Sequence, residues 1–219
     1  MFRIKICGVT TVFDAEAVAN AGADAIGLNF YPGSPRKISV DRAIEIRDIL
    51  PPAVRLVGLF VNAEISEVSA IHERVGFDYV QFHGNETPEM IANWTGCPIV
   101  RAFRGADAAN VLGYLDNAER CGTRVAAVLV DGLQTGEFGG TGVKADWNQV
   151  AKLRGKLAVP LVLAGGLTPN NVAQAISATV PDAVDTASGV ELEPGRKDPV
   201  AVREFVTHAR TAFGSAPGV

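Results

Sequence analysis

Eight short apolar runs, separated by amphipathic segments, constrain this chain more than any other feature. They are RIKIC (3–7), AIGLNF (25–30), RLVGLFV (55–61), YVQFH (79–83), PIVRAF (98–103), VAAVLVD (125–131), PLVLAG (160–165) and AVDTAS (183–188). Each has the length of a strand, and their Val, Ile, Leu and Phe content suits strands covered by helices. Ser39 precedes VDRAIEIRDIL, where Ala43, Ile46 and Ile49 recur at helical spacing before Pro51 and Pro52 stop the run. Asn62 is placed to cap AEISEVSAIHERV, which ends at Gly76. Thr168–Pro169 and Asp198–Pro199 each read as an N-cap followed by a first-turn proline. A further helix is expected around AANVLGYLDNA.

Eight strand–helix alternations predict the α/β class and a single (β/α)8 TIM barrel. An open doubly wound sheet is the competitor, but no GxGxxG follows the first run. The barrel domain is expected over 1–213, with GSAPGV (214–219) as a frayed tail. The loops richest in Gly and Pro are YPGSPRK (31–37) and DGLQTGEFGGTG (131–142). GGTG (139–142) suits a mobile loop and is not a Walker A motif, since no GK[ST] follows.

Strand parity then sorts side chains between the barrel interior and the helices. In RIKIC, Ile4 and Ile6 face the helices, so Lys5 and Cys7 point inward, with Cys7 nearer the C-terminal mouth where barrel active sites sit. By the same rule Leu129 and Asp131 point inward from run six, Asp185 from run eight, and Gln81 and His83 share one face of run four. A thiolate and a carboxylic acid at one mouth form a candidate base and acid. Parity also fits a simpler assignment: Cys7 as a small apolar residue at the core edge, and Asp131 as a turn or cap residue. Gln81 and His83 fit a hydrogen-bonded polar layer, which leaves His83 outside the catalytic set.

LAGGLTPNNV (163–172) and DTASGVE (185–191) follow runs seven and eight, where barrels commonly hold a phosphate. Gly165, Gly166, Ser188 and Gly189 permit close backbone approach and are the candidate phosphate ligands. The same glycines also fit plain tight turns. The formal net charge is −4, and no dense Lys/Arg cluster is present to hold a nucleic-acid backbone. A small phosphorylated molecule is therefore the expected partner. Cys7, Cys97 and Cys121 show no CxxC spacing, which argues against a disulfide framework and a zinc site. No run is long enough to span a membrane, and MFRIKICG has no apolar stretch of signal-peptide length. The expectation is a cytoplasmic protein without metal, nucleic-acid or membrane partners, as monomer or homodimer.

Several stretches together resemble the phosphoribosylanthranilate isomerases of tryptophan biosynthesis. They are KICGVT (5–10), GLNFYPGSPRKIS (27–39), VGLFVN (57–62), VQFHG (80–84), VDG with GGTG (130–142), DW (146–147), LAGGLTPNNV (163–172), and SGVE with GRKD (188–198). The resemblance implies a (β/α)8 barrel and an Amadori rearrangement of N-(5'-phosphoribosyl)anthranilate to 1-(2-carboxyphenylamino)-1-deoxyribulose 5-phosphate. It also implies Cys7 as general base, Asp131 as general acid, Arg36 on the anthranilate carboxylate, Asp185 on the sugar hydroxyls, and the glycine turns on the phosphate. No cofactor is implied, because the iminium formed on ring opening is itself the electron sink. The chain departs from the family at Ala187, where a serine is usual, and at Ala145, where an aromatic residue is usual. The alternatives are a related phosphosugar isomerase or epimerase barrel, and a non-catalytic phospho-ligand binding protein. Cys7 at the end of run one, where a two-substrate sugar isomerase carries aspartate, speaks against the first.

Overall fold

A computed structural model describes residues 1–132 and 146–215. GGTG (139–142), most of the 131–142 loop, Ala145, and 216–219 of the expected tail lie outside the described residues. The elements are β1 (Ile4–Cys7), α1 (Val12–Asn20), β2 (Ala25–Asn29), α2 (Val40–Ile49), β3 (Arg55–Phe60), α3 (Ile65–Val75), β4 (Tyr79–Phe82) and α4 (Pro88–Ile91), followed by β5 (Ile99–Arg104), α5 (Ala108–Arg120), β6 (Val125–Asp131), α6 (Trp147–Arg154), β7 (Leu161–Leu163), α7 (Val172–Thr179) and β8 (Ala183–Thr186). After β8 come a 3-10 turn (Ser188–Val190), an antiparallel pair β9 (Glu191–Glu193) and β10 (Arg196–Lys197), and α8 (Pro199–Ser215). Strands β1 to β8 pair in chain order, and β8 pairs back onto β1 in parallel register, Lys5 opposite Asp185. The result is the closed (β/α)8 barrel that the alternation predicts.

Parity divides the core as read from the sequence. Ile4, Ile6, Val128, Val130 and Val184 pack in the layer beneath the helices. Ala25, Val57, Val100, Ala102, Leu129 and Val162 fill the interior. Cys7 joins Leu59 and Val61 in a small cluster at the strands' C-terminal ends. At the opposite end, aspartates preceding three strands hold the preceding strands' N-termini. Asp24 Oδ2 accepts from Ile4 N (2.9 Å), Asp78 Oδ2 from Leu56 N (2.8 Å) and Asp182 Oδ2 from Leu161 N (2.7 Å).

The helix starts depend on which side chain reaches the free N–H groups. Ser39 Oγ accepts from Arg42 N, and Asp198 Oδ1 accepts from Val200 N beside the first-turn Pro199, as the cap signals predict. The helix expected around AANVLGYLDNA is α5, capped by Asp107 through Asn110 N.

Two caps differ from expectation. Asn62 does not cap α3, which starts at Ile65 with Glu64 at the N-cap position. Asn62 lies at φ 52 and its Oδ1 accepts from Asn85 N at 2.7 Å, so it ties the loop after β3 to the loop after β4. Thr168 does not cap α7 either. Its N–H donates to Asn171 Oδ1 (2.8 Å) while Asn171 Nδ2 donates to the Gly166 carbonyl (2.9 Å). This local side-chain turn competes with helix and delays α7 to Val172. At the other end, α8 runs to Ser215.

Candidate active site

Cys7, Arg36, His83, Asp131, Asp185 and Ser188 line one cleft at the C-terminal end of the barrel, with about 600 Å³ of empty space open to solvent. Each of the first five is less than a tenth exposed. Cys7 is the last residue of β1, and the chain must leave the barrel at once. Gly8 makes that turn at φ +72, a region that side-chain-bearing residues rarely adopt. A Cβ there would also overlap Cδ of Arg36, whose stem crosses the turn. The glycine after Cys7 therefore serves two purposes: the turn itself, and room for the arginine.

Arg36 comes from the loop between β2 and α2. Asn29, the last residue of β2, donates through Nδ2 to Ser34 Oγ (3.1 Å), and Ser34 Oγ accepts from Arg36 N (3.1 Å). Asn29 Oδ1 also accepts from Tyr31 N (2.8 Å). This Asn–Ser lattice shapes a Gly/Pro loop that has no regular structure of its own. The Arg36 guanidinium forms a forked pair with Glu191, Nε to Oε1 at 2.9 Å and Nη2 to Oε2 at 2.7 Å.

Cys7 sits in a charged setting. Burial pushes its thiol up, and the ammonium groups of Lys5 and Lys197 pull against that. Lys5, fully buried, donates to Asp185 Oδ1 at 2.9 Å. Burial alone would lower its pKa, but Asp185 and Cys7 hold it above the ordinary lysine value. Lys197, also buried, donates to the Cys7 carbonyl (2.6 Å), the Ala187 carbonyl (3.1 Å) and Glu191 Oε1 (2.7 Å). Three cations (Lys5, Arg36, Lys197) thus face two carboxylates (Asp185, Glu191) around Cys7. A thiolate would balance the set.

Asp131 ends β6, three strand steps from β1 around the barrel. Its Oδ1 accepts from Gly132 N (2.8 Å), and its Oδ2 lies 3.4 Å from His83 Nε2. His83 Nδ1 contacts Gln81 Nε2 at 3.1 Å, the polar layer expected of that pair. Oδ1 is engaged by a backbone donor, and Oδ2 faces His83.

The four candidate phosphate ligands divide into two kinds. Gly165, Gly166 and Ser188 line the cleft. Among the described residues, neither Gly165 nor Gly166 spends its backbone N–H on a protein acceptor. Gly165 has φ +85, and a Cβ there would overlap the backbone N of Gly132. Gly189 stands behind the cleft wall, where a Cβ would overlap the Leu167 carbonyl oxygen. Its lack of a side chain lets the turn after β8 lie against the loop after β7.

Sequence reasoning did not single out Glu191 and Lys197, which organise Arg36 and Cys7. The available signal was ELEPGRK, two charged runs around a Pro–Gly turn, which reads as a hairpin. That both charges point inward is not visible in the pattern.

Comparison with known proteins identifies the family. The family model described as N-(5'phosphoribosyl)anthranilate (PRA) isomerase matches residues 4–208. The N-(5'-phosphoribosyl)anthranilate isomerase of Geotalea uraniireducens is 45% identical over 212 residues, covering 96% of this chain and 99% of that protein. The crystal structure of phosphoribosyl anthranilate isomerase from Thermotoga maritima superposes with a TM-score of 0.83 at 37% identity, covering 96% of this chain and all of that one. A phosphoribosyl anthranilate isomerase solved with reduced 1-(o-carboxyphenylamino)-1-deoxyribulose 5-phosphate superposes with a TM-score of 0.80 at 35% identity, covering 96% of this chain and 100% of that one. With the barrel, the cleft and these similarities in agreement, the chain belongs to the N-(5'-phosphoribosyl)anthranilate isomerase family.

Proposed function

We propose that Cys7 is the general base and Asp131 the general acid of the phosphoribosylanthranilate isomerisation this chain catalyses in tryptophan biosynthesis. The observation that carries the assignment is their common cleft. A thiol and a carboxyl end two different strands and face one cleft, with an arginine on its wall and two glycine N–H groups that have no acceptor among the described residues. Asp131 gives a proton to the furanose ring oxygen, and the C1'–O bond opens to a protonated Schiff base. Cys7 as thiolate takes the proton from C2'. The C2'–H electron pair moves to the C1'–C2' bond, and the iminium nitrogen receives the displaced pair. The resulting enolamine tautomerises to the ketone, so no electrons leave the substrate.

Arg36 receives the anthranilate carboxylate, Asp185 the sugar hydroxyls, and Gly165, Gly166 and Ser188 the 5'-phosphate, while Gly189 acts from behind the wall by letting the turn that carries Ser188 lie close. The ligand is a small phosphorylated molecule, and the reading includes neither nucleic acid nor membrane. Among the described residues no helix is long and apolar enough to cross a membrane. A cytoplasmic monomer or homodimer belongs to the same reading.

The test is the loss of substrate fluorescence on adding enzyme, with chelator present throughout. Cys7→Ser and Asp131→Asn are each expected to slow turnover by about 10²–10⁴-fold, the usual share of one acid or base. Full turnover in either variant would remove that residue from the mechanism. A chelator-sensitive wild type would contradict the iminium as sole electron sink.

A further inference from the structure

Glu191 lies outside the acid–base chemistry, yet it forms a forked hydrogen-bonded pair with Arg36. A guanidinium carries five N–H donors in a rigid plane. Glu191 takes the Nε–Nη2 edge: Nε reaches Oε1 at 2.9 Å and Oε2 at 3.2 Å, and Nη2 reaches Oε2 at 2.7 Å. Among the described residues no acceptor takes Nη1, and Arg36 lines the cleft.

Glu191 is itself fixed. Its side chain is 4% exposed, and Oε1 also accepts from Lys197 Nζ (2.7 Å) and Gly195 N (3.3 Å). The other two bonds of Lys197 go to the carbonyls of Cys7 and Ala187. One carboxylate therefore registers the guanidinium plane against the end of β1 and the turn that leads to Ser188. A simple charge-neutralising partner would not need that second tie. Burial works to raise the Glu191 carboxyl, but Arg36 and Lys197 hold it below the ordinary glutamate value, so it is ionised at neutral pH.

We infer that Glu191 is a positioning residue that fixes which edge of Arg36 meets the substrate, and thereby sets the enzyme's preference for a carboxylate-bearing aromatic ring. This rests on the reading that Arg36 receives the anthranilate carboxylate. A purely electrostatic part for Glu191 has the opposite sign: removing its negative charge would strengthen carboxylate binding by a freed Arg36.

The experiment measures dissociation constants of two probes by calorimetry. One is the reduced carboxyphenylamino-deoxyribulose 5-phosphate, and the other is the same compound without the ring carboxylate. The ratio of the two constants isolates the carboxylate's contribution from that of phosphate and sugar. In Arg36→Met the ratio collapses towards one; an undiminished ratio there would reject the reading of Arg36 itself. In Glu191→Gln the ratio falls by about tenfold, equivalent to ~1.4 kcal/mol, while binding of the carboxylate-free probe stays within a few fold. If Arg36→Met abolishes the preference but Glu191→Gln keeps or raises it, the positioning role is overturned. Equal weakening of both probes would also overturn it, since a general structural defect does that. Glu191→Asp retains the charge but moves it back by one methylene. It provides the same comparison if the glutamine variant does not fold, with a loss of preference expected and unchanged preference again counting against the inference.

Discussion

At the residue scale, Cys7 has an environment that works in two directions. Its thiol is buried between strands, which disfavours the thiolate, while Lys5 and Lys197 supply the opposing charge. Burial wins, so the thiol ionises above its ordinary range. The thiolate is the working form, so turnover should climb as pH rises from neutral towards and through that raised value. A kcat/KM profile flat from about pH 6 to pH 9, where an ordinary thiol (pKa about 8.5) already changes charge, would contradict a thiolate base. The same shift carries a stability consequence. The folded state keeps a proton that the unfolded chain has lost, so its contribution is present at low pH and disappears as pH passes the folded thiol's pKa. Parity placed Cys7 on the inner face, and that much was legible in RIKIC. Its charged neighbours were legible in part: Lys5 shares the face, but Lys197 arrives from 190 residues away in sequence.

At the scale of elements, the cap chemistry shows where short-range signals hold and where they do not. Asp198–Pro199 starts α8 as the dipeptide predicts, and among the described residues no other donor takes the Asp198 side chain. Asp198→Ala should therefore lower stability by about 1 kcal/mol and leave turnover at wild-type level, read by urea denaturation beside the activity assay. A loss below a few tenths of a kcal/mol would mean that Pro199 alone sets the start. Asn62 and Thr168 carry equally good local signals and fail as caps. In each case a side-chain amide forms a loop contact instead, Asn62 with Asn85 and Asn171 with Thr168. Both loops are at the C-terminal end of the barrel. Local helix preference is overridden there by contacts within and between the loops.

At the scale of the whole molecule, the barrel closes where β1 meets β8. The closure is polar as well as backbone-made: Lys5 and Asp185 are register partners, and their side chains pair at 2.9 Å with Lys5 fully buried. Removing one partner leaves the other's charge buried and uncompensated. Lys5→Met should thus lower the unfolding free energy by about 3–5 kcal/mol, measured by urea denaturation. A change under about 1 kcal/mol would show that the backbone ladder closes the barrel without help from the pair. The β9–β10 hairpin plays a related part at the mouth. Through Glu191 and Lys197 it joins the first strand, the loop after β2 and the turn after β8.

The sequence by itself determined the barrel, because eight apolar runs of strand length cannot all be buried beside their helices in many other ways. It also determined which strand residues face inward, since the two-residue period is a local property of the backbone. The motifs KICG, SPR, VQFHG and LAGG marked the family, and with VDG, run eight and SGVE they marked the candidate site residues. Tertiary structure decided what each of those residues touches. The forked Arg36–Glu191 pair spans 155 residues of sequence and the Lys5–Asp185 pair 180. No periodicity encodes such pairings: they depend on closure of the barrel bringing chain ends together, and on burial making an unpaired charge too costly to leave.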